Sequence, residues 1–100
     1  MTAPRIRAEA RADLREINEH SKRAFGPRIA LDYLAGLRST FLLLVQRPRI
    51  GPPEHYLGEG VRGFSHRSHR IYYRVDDGQV TIIRILHQSQ DAIAAFGEQQ

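Results

Sequence analysis

Apolar and β-branched residues fill the last third of the chain from His69 to His87 in two runs, which Asp77-Gly78 separates. Runs of β-branched and aromatic residues flank that dipeptide. Asp-Gly tolerates the positive φ angles of a two-residue type I′ turn, so the segment predicts a β-hairpin. Asp76 then pairs with Gln79, and opposed residues have numbers summing to 155. Alternation sorts the side chains into two faces. One carries Ile71, Tyr73, Val75, Val80, Ile82 and Leu86, interrupted by Arg84; the other carries Arg70, Tyr72, Arg74, Thr81, Ile83, Ile85 and His87. The first is expected to be core, with Tyr73 inside. The second, with Tyr72 exposed, is expected to be the working surface. Arg84 should snorkel or pair with a helix acid such as Asp13 or Glu16.

Upstream the period changes. Ala10, Leu14, Ile17, Ser21 and Ala24 form a narrow helical stripe starting near Glu9, and Phe25-Gly26-Pro27 ends that helix. A second helix from about Arg28 to Gln46 has a wide stripe of Ala30, Tyr33, Leu34, Leu37, Phe41, Leu44 and Val45. Its end, Phe41 to Val45, is apolar all round and must be enclosed by the chain or covered from outside. Arg47 to Gly60 reads as a loop, Val61 to His66 as a strand in which Gly63 marks a bulge or a close approach, and Gln88 to Gln100 as a tail with one or two helical turns. Arg5 to Ala8 is too short to assign. The order predicts one α+β domain over 1–100: a possible strand, a two-helix hairpin, a three-stranded antiparallel meander and a short C-terminal tail, with one sheet face partly open.

Charge changes that picture locally. The net charge is +4, with fourteen arginines and one lysine, Lys22. Arg47, Arg49, Arg62, Arg67, Arg70 and Arg74 face only Glu54 and Glu59 in their segment, and the rest of the chain is balanced. A basic field of this kind suits a nucleic acid, an enzyme bound to one, or an acidic protein. The absence of cysteine excludes disulfides and thiolate metal sites. His66 and His69 lack the further ligands of a metal site, so no metal is expected. No run approaches the ~20 apolar residues of a membrane span, and the first residues lack a signal-peptide core, so a cytoplasmic location is expected. At the strand end, His87 is equally suited to pairing with Asp91 or to a functional role.

In this order the residues resemble the RelE/ParE toxins of bacterial toxin–antitoxin modules, the ParE branch in particular. The likeness rests on Ala10, Asp13, Leu14 and Ile17; on Tyr33, Leu37 and Phe41, followed by Pro48 and Gly51; on Gly60-Val-Arg62; on His69-x-Ile-Tyr-Tyr-Arg-Val75; and on Ile85-Leu86-His87 with Asp91. It spans nearly the whole chain. Such a resemblance implies a compact toxin held inactive by a cognate, ParD-like antitoxin, with operator DNA reached only through that antitoxin and no cofactor. ParE-like members poison DNA gyrase, whereas RelE-like members cleave messenger RNA in the ribosome.

The two activities ask different things of the residues. Cleavage needs a group to activate the ribose 2′-hydroxyl, an acid for the leaving oxygen and cations for the phosphate. His87, Arg74 and Arg70, expected on one face, supply part of that set. The RelE-like pattern also has an Arg and a Tyr just after the last strand and lysines on an earlier one. Here that segment is Gln88-Ser-Gln-Asp91, no Tyr follows Tyr73, and Lys22 is in the first helix. Binding to gyrase needs only a shaped basic surface, with Arg67, Arg70 and Arg74 and the tail from Gln88 as candidate contacts. That reading is preferred. Leu34, Phe41, Leu42 and Val45 are candidate antitoxin-docking positions if the hairpin leaves them exposed.

Overall fold

The computed structural model describes residues 3–97. The ends of the expected domain, including residues 98–100 of the tail, lie outside them. A short strand β1 (Arg5–Ile6) leads into helices α1 (Ala8–Phe25) and α2 (Pro27–Gln46). Three strands follow, β2 (Val61–His66), β3 (His69–Asp76) and β4 (Gln79–His87), and then helix α3 (Ala92–Gly97). The sheet order is β1-β4-β3-β2. The meander is antiparallel, and β1 adds a fourth, parallel strand at its edge through Arg5 opposite Thr81 and Ile6 opposite Ile82.

A single residue separates the two helices. Gly26 has φ 91°, donates its N–H to Lys22 O and accepts from Ala30 N, while Pro27 opens α2. That combination suits Gly, with no Cβ penalty at positive φ, and Pro, whose missing N–H costs nothing in a first turn. The hairpin lies on one face of the sheet. Ala10, Ile17, Leu34, Leu37, Phe41 and Leu44 meet Ile71, Tyr73, Val80, Ile82 and Ile85 there. By length and composition α2 could cross a membrane. Here its apolar stripe is packed against the sheet, so the all-apolar end is enclosed by the chain on its Phe41 and Leu44 side and leaves Leu42 exposed.

The β3–β4 hairpin departs from the uniform register. Asp77 and Gly78 take φ 50° and 77°, as the turn requires, and pairs sum to 155 from Asp76–Gln79 to Tyr73–Ile82. Beyond them Tyr72 faces Arg84, Arg70 faces Leu86 and His69 faces His87, each sum now being 156. Ile83 is therefore an extra residue, a β-bulge, and every later side chain of β4 exchanges faces. Ile85 joins the core under the helices, whereas Leu86 moves to the opposite face.

That opposite face is less open than the meander alone implies. Val61, Tyr72, Ile83 and Leu86 form a second buried cluster, covered by Leu57 and by Ala92, Ala95 and Phe96 of α3. Tyr72, expected to be exposed, is 6% exposed and meets Phe96 edge-on at 5.4 Å between ring centroids. Asp91 caps α3 through Ile93 N and Ala94 N, so it is not the partner of His87.

Candidate functional site

The arginines of the sheet reach different environments although they alternate on the same strands. Arg70, on the face away from the hairpin, donates to Glu54 Oε1 from Nε (3.1 Å) and Nη2 (2.5 Å), and to Ser65 Oγ from Nη1 (2.8 Å). Glu54 is the most buried acid of the loop before β2, and its side chain is 13% exposed. Arg70 is thus a half-buried, neutralised anchor rather than a free cation. The sequence signal was present, because Glu54 stands almost alone among the segment's arginines, but its contact depends on how the loop folds back.

Gly63 makes room for this pair. A Cβ there would lie 2.8 Å from Arg70 Nε and 2.9 Å from Glu54 Oε1. The close approach expected of Gly63 is therefore to a charged pair, and no bulge is needed on β2. Arg62 points the other way and donates to Gly51 O at 2.8 Å, holding the loop. Arg67 is exposed in the β2–β3 turn with φ 52°. Arg74 lies on the same face as Arg70, four residues along β3, with Gly58 and Gly60 against its side chain. Among the exposed and half-exposed cations on or beside this face are Arg67 in the turn at one end and, toward the other, Arg74 and Arg5.

His87 is not with them. The bulge turns it to the helix side, where its ring meets that of His69 edge-on at 5.3 Å. This corrects the expectation that Arg70, Arg74 and His87 share a face. The His87 Nδ1 accepts from Ser89 N at 3.1 Å, so in the neutral ring the proton sits on Nε2. His69 in turn bonds Tyr33 Oη through Nδ1 at 2.6 Å, and His66 bonds Thr40 Oγ1 at 3.1 Å.

His87, Ser89, His69 and Tyr33 line a cleft of about 550 Å³ between the helical hairpin and the sheet end, with His20 on α1 and Phe25 and Ile29 also lining it. Among the described residues no arginine lines it, and no three His, Cys, Asp or Glu side chains converge as metal ligands would. It offers imidazoles and a phenol without a cation for a phosphate. Tyr33 and His20 are not among the residues expected at a site, whereas Ser89 belongs to the tail from Gln88 that is. The helical stripe marks Tyr33 as core, and only tertiary packing brings its hydroxyl to His69.

Burial pushes the His69 imidazole down to about 4, reinforced by His87, His66 and His20 and opposed by Asp13. Burial also lowers His66, with help from Arg67. The sign follows from linkage. The fold binds fewer protons than the unfolded chain as pH falls from about 6.5 to about 4, so stability present above 6.5 is lost across that window. The full shift would be worth about 3 kcal/mol at ~1.4 kcal/mol per pH unit. His69 is partly exposed, and solvent screening reduces this to roughly 1–2 kcal/mol. Urea denaturation at pH 7 and pH 4.5 should show that loss, and His69→Gln should flatten it; an unchanged slope in the variant would assign the effect elsewhere.

The antitoxin-docking candidates divide as well. Leu34 and Phe41 are 7% and 2% exposed because their stripe faces the sheet, so they are core rather than docking positions. Val45 is half-buried against the same core, and Leu42 is 42% exposed. Leu31, 69% exposed, lies eleven residues before Leu42 and therefore on the same side of α2.

The fold is matched in known proteins. A family model described as "ParE toxin of type II toxin-antitoxin system, parDE" matches residues 5–92. Toxin ParE1 of Caulobacter vibrioides is 38% identical over 93 residues, covering 93% of this chain and 96% of that protein. Toxin ParE1 of Mycobacterium tuberculosis is 34% identical over 83 residues, covering 82% and 85%. Among solved structures, the chromosomal ParDE toxin–antitoxin system of P. aeruginosa superposes with a TM-score of 0.74 at 25% identity, over 87% of this chain and 96% of that one. The toxin–antitoxin complex RelBE2 of M. tuberculosis gives 0.61 at 28% identity, over 85% and 95%. With a matching model across both cores, the bulged hairpin and the start of α3, the chain belongs to the ParE toxin family of type II toxin–antitoxin systems.

Proposed function

We propose that this ParE-family toxin acts in the cytoplasm by binding DNA gyrase and poisoning it, without doing chemistry of its own. The observation that carries the reading is the bulge at Ile83. It puts His87 on the helix face and leaves Arg70 and Arg74 on the other, so a base and phosphate-binding cations do not meet. Glu54 further engages the Arg70 guanidinium that a nuclease would require. What remains on the open face is a positively charged surface with Arg67 and Arg74 as target contacts and Arg70 as their support. Such a surface suits an acidic, DNA-engaged partner.

A ParD-like antitoxin neutralises the toxin in this reading, docking an amphipathic segment on the outward stripe of α2 at Leu31 and Leu42, with Val45 beneath. Contact with operator DNA runs only through that antitoxin. A gyrase supercoiling assay tests the scheme. The purified toxin is expected to block supercoiling and accumulate cleaved DNA. Arg67→Glu with Arg74→Glu should lose this effect, while His87→Ala should keep it. Leu31→Asp with Leu42→Asp should remain toxic to gyrase but escape the antitoxin. Unimpaired supercoiling together with ribosome-dependent messenger RNA cleavage that is lost in His87→Ala would overturn the proposal in favour of a RelE-like nuclease.

A further inference from the structure

We infer that the open face of the sheet holds a phosphate-binding groove between β1 and β3, with Arg74, Arg5 and Arg7 as its cationic ligands. Register builds it. Arg5, Thr81 and Arg74 are opposed in one row across β1, β4 and β3, so all three side chains share the face away from the helical hairpin. Adjacent strands are about 4.8 Å apart, which places the Arg5 and Arg74 backbones about 10 Å from each other. The Arg74 guanidinium rests against the Gly58–Gly60 loop on the β2 side, so gripping a small anion together with Arg5 requires it to swing toward β1. Arg7 follows where β1 turns into α1, with its N–H on Ile82 O at 3.0 Å. The groove between them measures about 360 Å³, with Ile83 among its lining residues.

Arg74 carries the argument for a ligand. Its Nε is buried and has no hydrogen-bond partner, unlike Arg70 on Glu54 or Arg84 on Asp13. Buried polar groups are almost always paired, and a buried donor left unmade is costly. Gly58 and Gly60, at φ 142° and 80°, bring the loop against this side chain. The acids nearby are Asp76, which lines the groove, and Glu9, 3.9 Å from Arg7. Three guanidinium groups outnumber them. A carboxylate is satisfied by one bidentate arginine, whereas a phosphate has three oxygens to share among several donors. Three arginines lining one groove, from β1, the start of α1 and β3, therefore favour phosphate.

The inference adds a ligand class to this face and does not depend on gyrase being the target, since it is read on the isolated full-length chain. Calorimetric titration with pyrophosphate, succinate and a short DNA duplex at fixed ionic strength tests it. Pyrophosphate is expected to bind saturably and succinate at least about tenfold more weakly. Arg74→Gln and Arg5→Gln should each weaken pyrophosphate about tenfold or more, in keeping with the loss of a charge-assisted contact. Arg74→Lys, which keeps the charge but not the planar fork, should fall between Arg74→Gln and the native chain. Arg23→Gln, on the exposed side of α1, should change nothing. Competition of the duplex with pyrophosphate would identify a nucleic-acid backbone as the source; binding of pyrophosphate alone would identify a free phosphate or nucleotide. Equal weakening by Arg74→Gln and Arg23→Gln, or equal binding of succinate and pyrophosphate, would overturn it. Thermal unfolding of each variant separates lost binding from lost fold.

Discussion

Replacing Asp13 with alanine should lower stability by about 3 kcal/mol or more, the range for breaking a buried ion pair on one side. Asp13 is 8% exposed on α1, and its carboxylate accepts three hydrogen bonds. Arg84 Nε reaches Oδ2 at 2.8 Å, Arg84 Nη2 reaches Oδ1 at 2.9 Å, and the backbone N–H of Ile85 reaches Oδ2 at 2.9 Å. The last of these explains the position. β1 pairs with β4 only at Thr81 and Ile82, so beyond the bulge the edge of β4 presents an N–H that no strand accepts from, and α1 supplies the acceptor. Arg84 also donates to Ala95 O of α3 at 3.3 Å, so one ion pair joins both faces of the sheet. Alanine would leave a half-buried guanidinium without its carboxylate and orphan the Ile85 N–H. For a domain of this size the unfolding midpoint should fall by about 12–24 °C, at 4–8 °C per kcal/mol. Asp13→Asn should lose less, because it keeps an acceptor. Adding Arg84→Met should recover part of the loss by removing the uncompensated charge. A midpoint within a few degrees of the native chain would show that the pair is dispensable.

This ion pair marks the limit of what the amino-acid pattern discloses. The pairing of Arg84 with Asp13 is legible, because an arginine among aliphatic strand residues needs an acid and α1 offers few. The reason it is needed is not. A bulge of one residue leaves the composition of Ile82-Ile83-Arg84-Ile85-Leu86 as apolar as a regular strand would have it, and four of these five residues are buried. Only polar residues report the difference. His87 is the informative one: unbroken alternation past Ile83 puts it on the face of Arg70, and the bulge puts it opposite His69 on the other. The hairpin turn, both helices, β2 and the α+β order are by contrast set by local signals: a dipeptide that accepts positive φ, a 3.6-residue stripe, and a Gly-Pro junction.

The candidate site was less legible for a related reason. Leu34 and Phe41 lie on the most regular apolar stripe in the chain, and regularity of that kind marks the buried side of a helix rather than its binding side. Leu31 and Leu42 fall outside the stripe. The stray apolar residue, not the periodic one, was the signal for an exposed patch. Arg70 and Arg74 look equivalent on β3, yet one is engaged by Glu54 and the other carries a buried, unpartnered Nε. That contrast arises from the loop before β2, whose path no periodicity encodes.

Gly51→Ala should therefore disturb the arginine surface from a distance and cost about 2–4 kcal/mol, combining overpacking with lost buried hydrogen bonds. Gly51 is buried where that loop crosses the sheet edge, and an added Cβ would lie 2.7 Å from Gly63 O and 2.8 Å from Tyr73 Oη. The first neighbour is backbone and cannot rotate away. The second belongs to a fully buried tyrosine whose hydroxyl donates to Pro48 O at 2.6 Å and accepts from Gly51 N at 3.0 Å. Relief requires the loop to lift from β2, which breaks the Arg62 bond to Gly51 O and loosens Gly63 N from Pro52 O and Glu54 N from Val61 O. Glu54 is three residues beyond Gly51, so a lifted loop also withdraws the carboxylate from Arg70. Two measurements should then move together: the urea midpoint falls, and the Arg70 side-chain N–H exchanges faster with solvent. In a Tyr73→Phe background the same alanine should cost about 1 kcal/mol less, because the Oη contact is gone while Gly63 O and the ring Cε1 at 2.9 Å remain, the non-additivity expected of touching groups. A Gly51→Ala chain of native stability would mean that the loop yields without strain, and fast Arg70 exchange in the native chain would mean that Glu54 does not hold it.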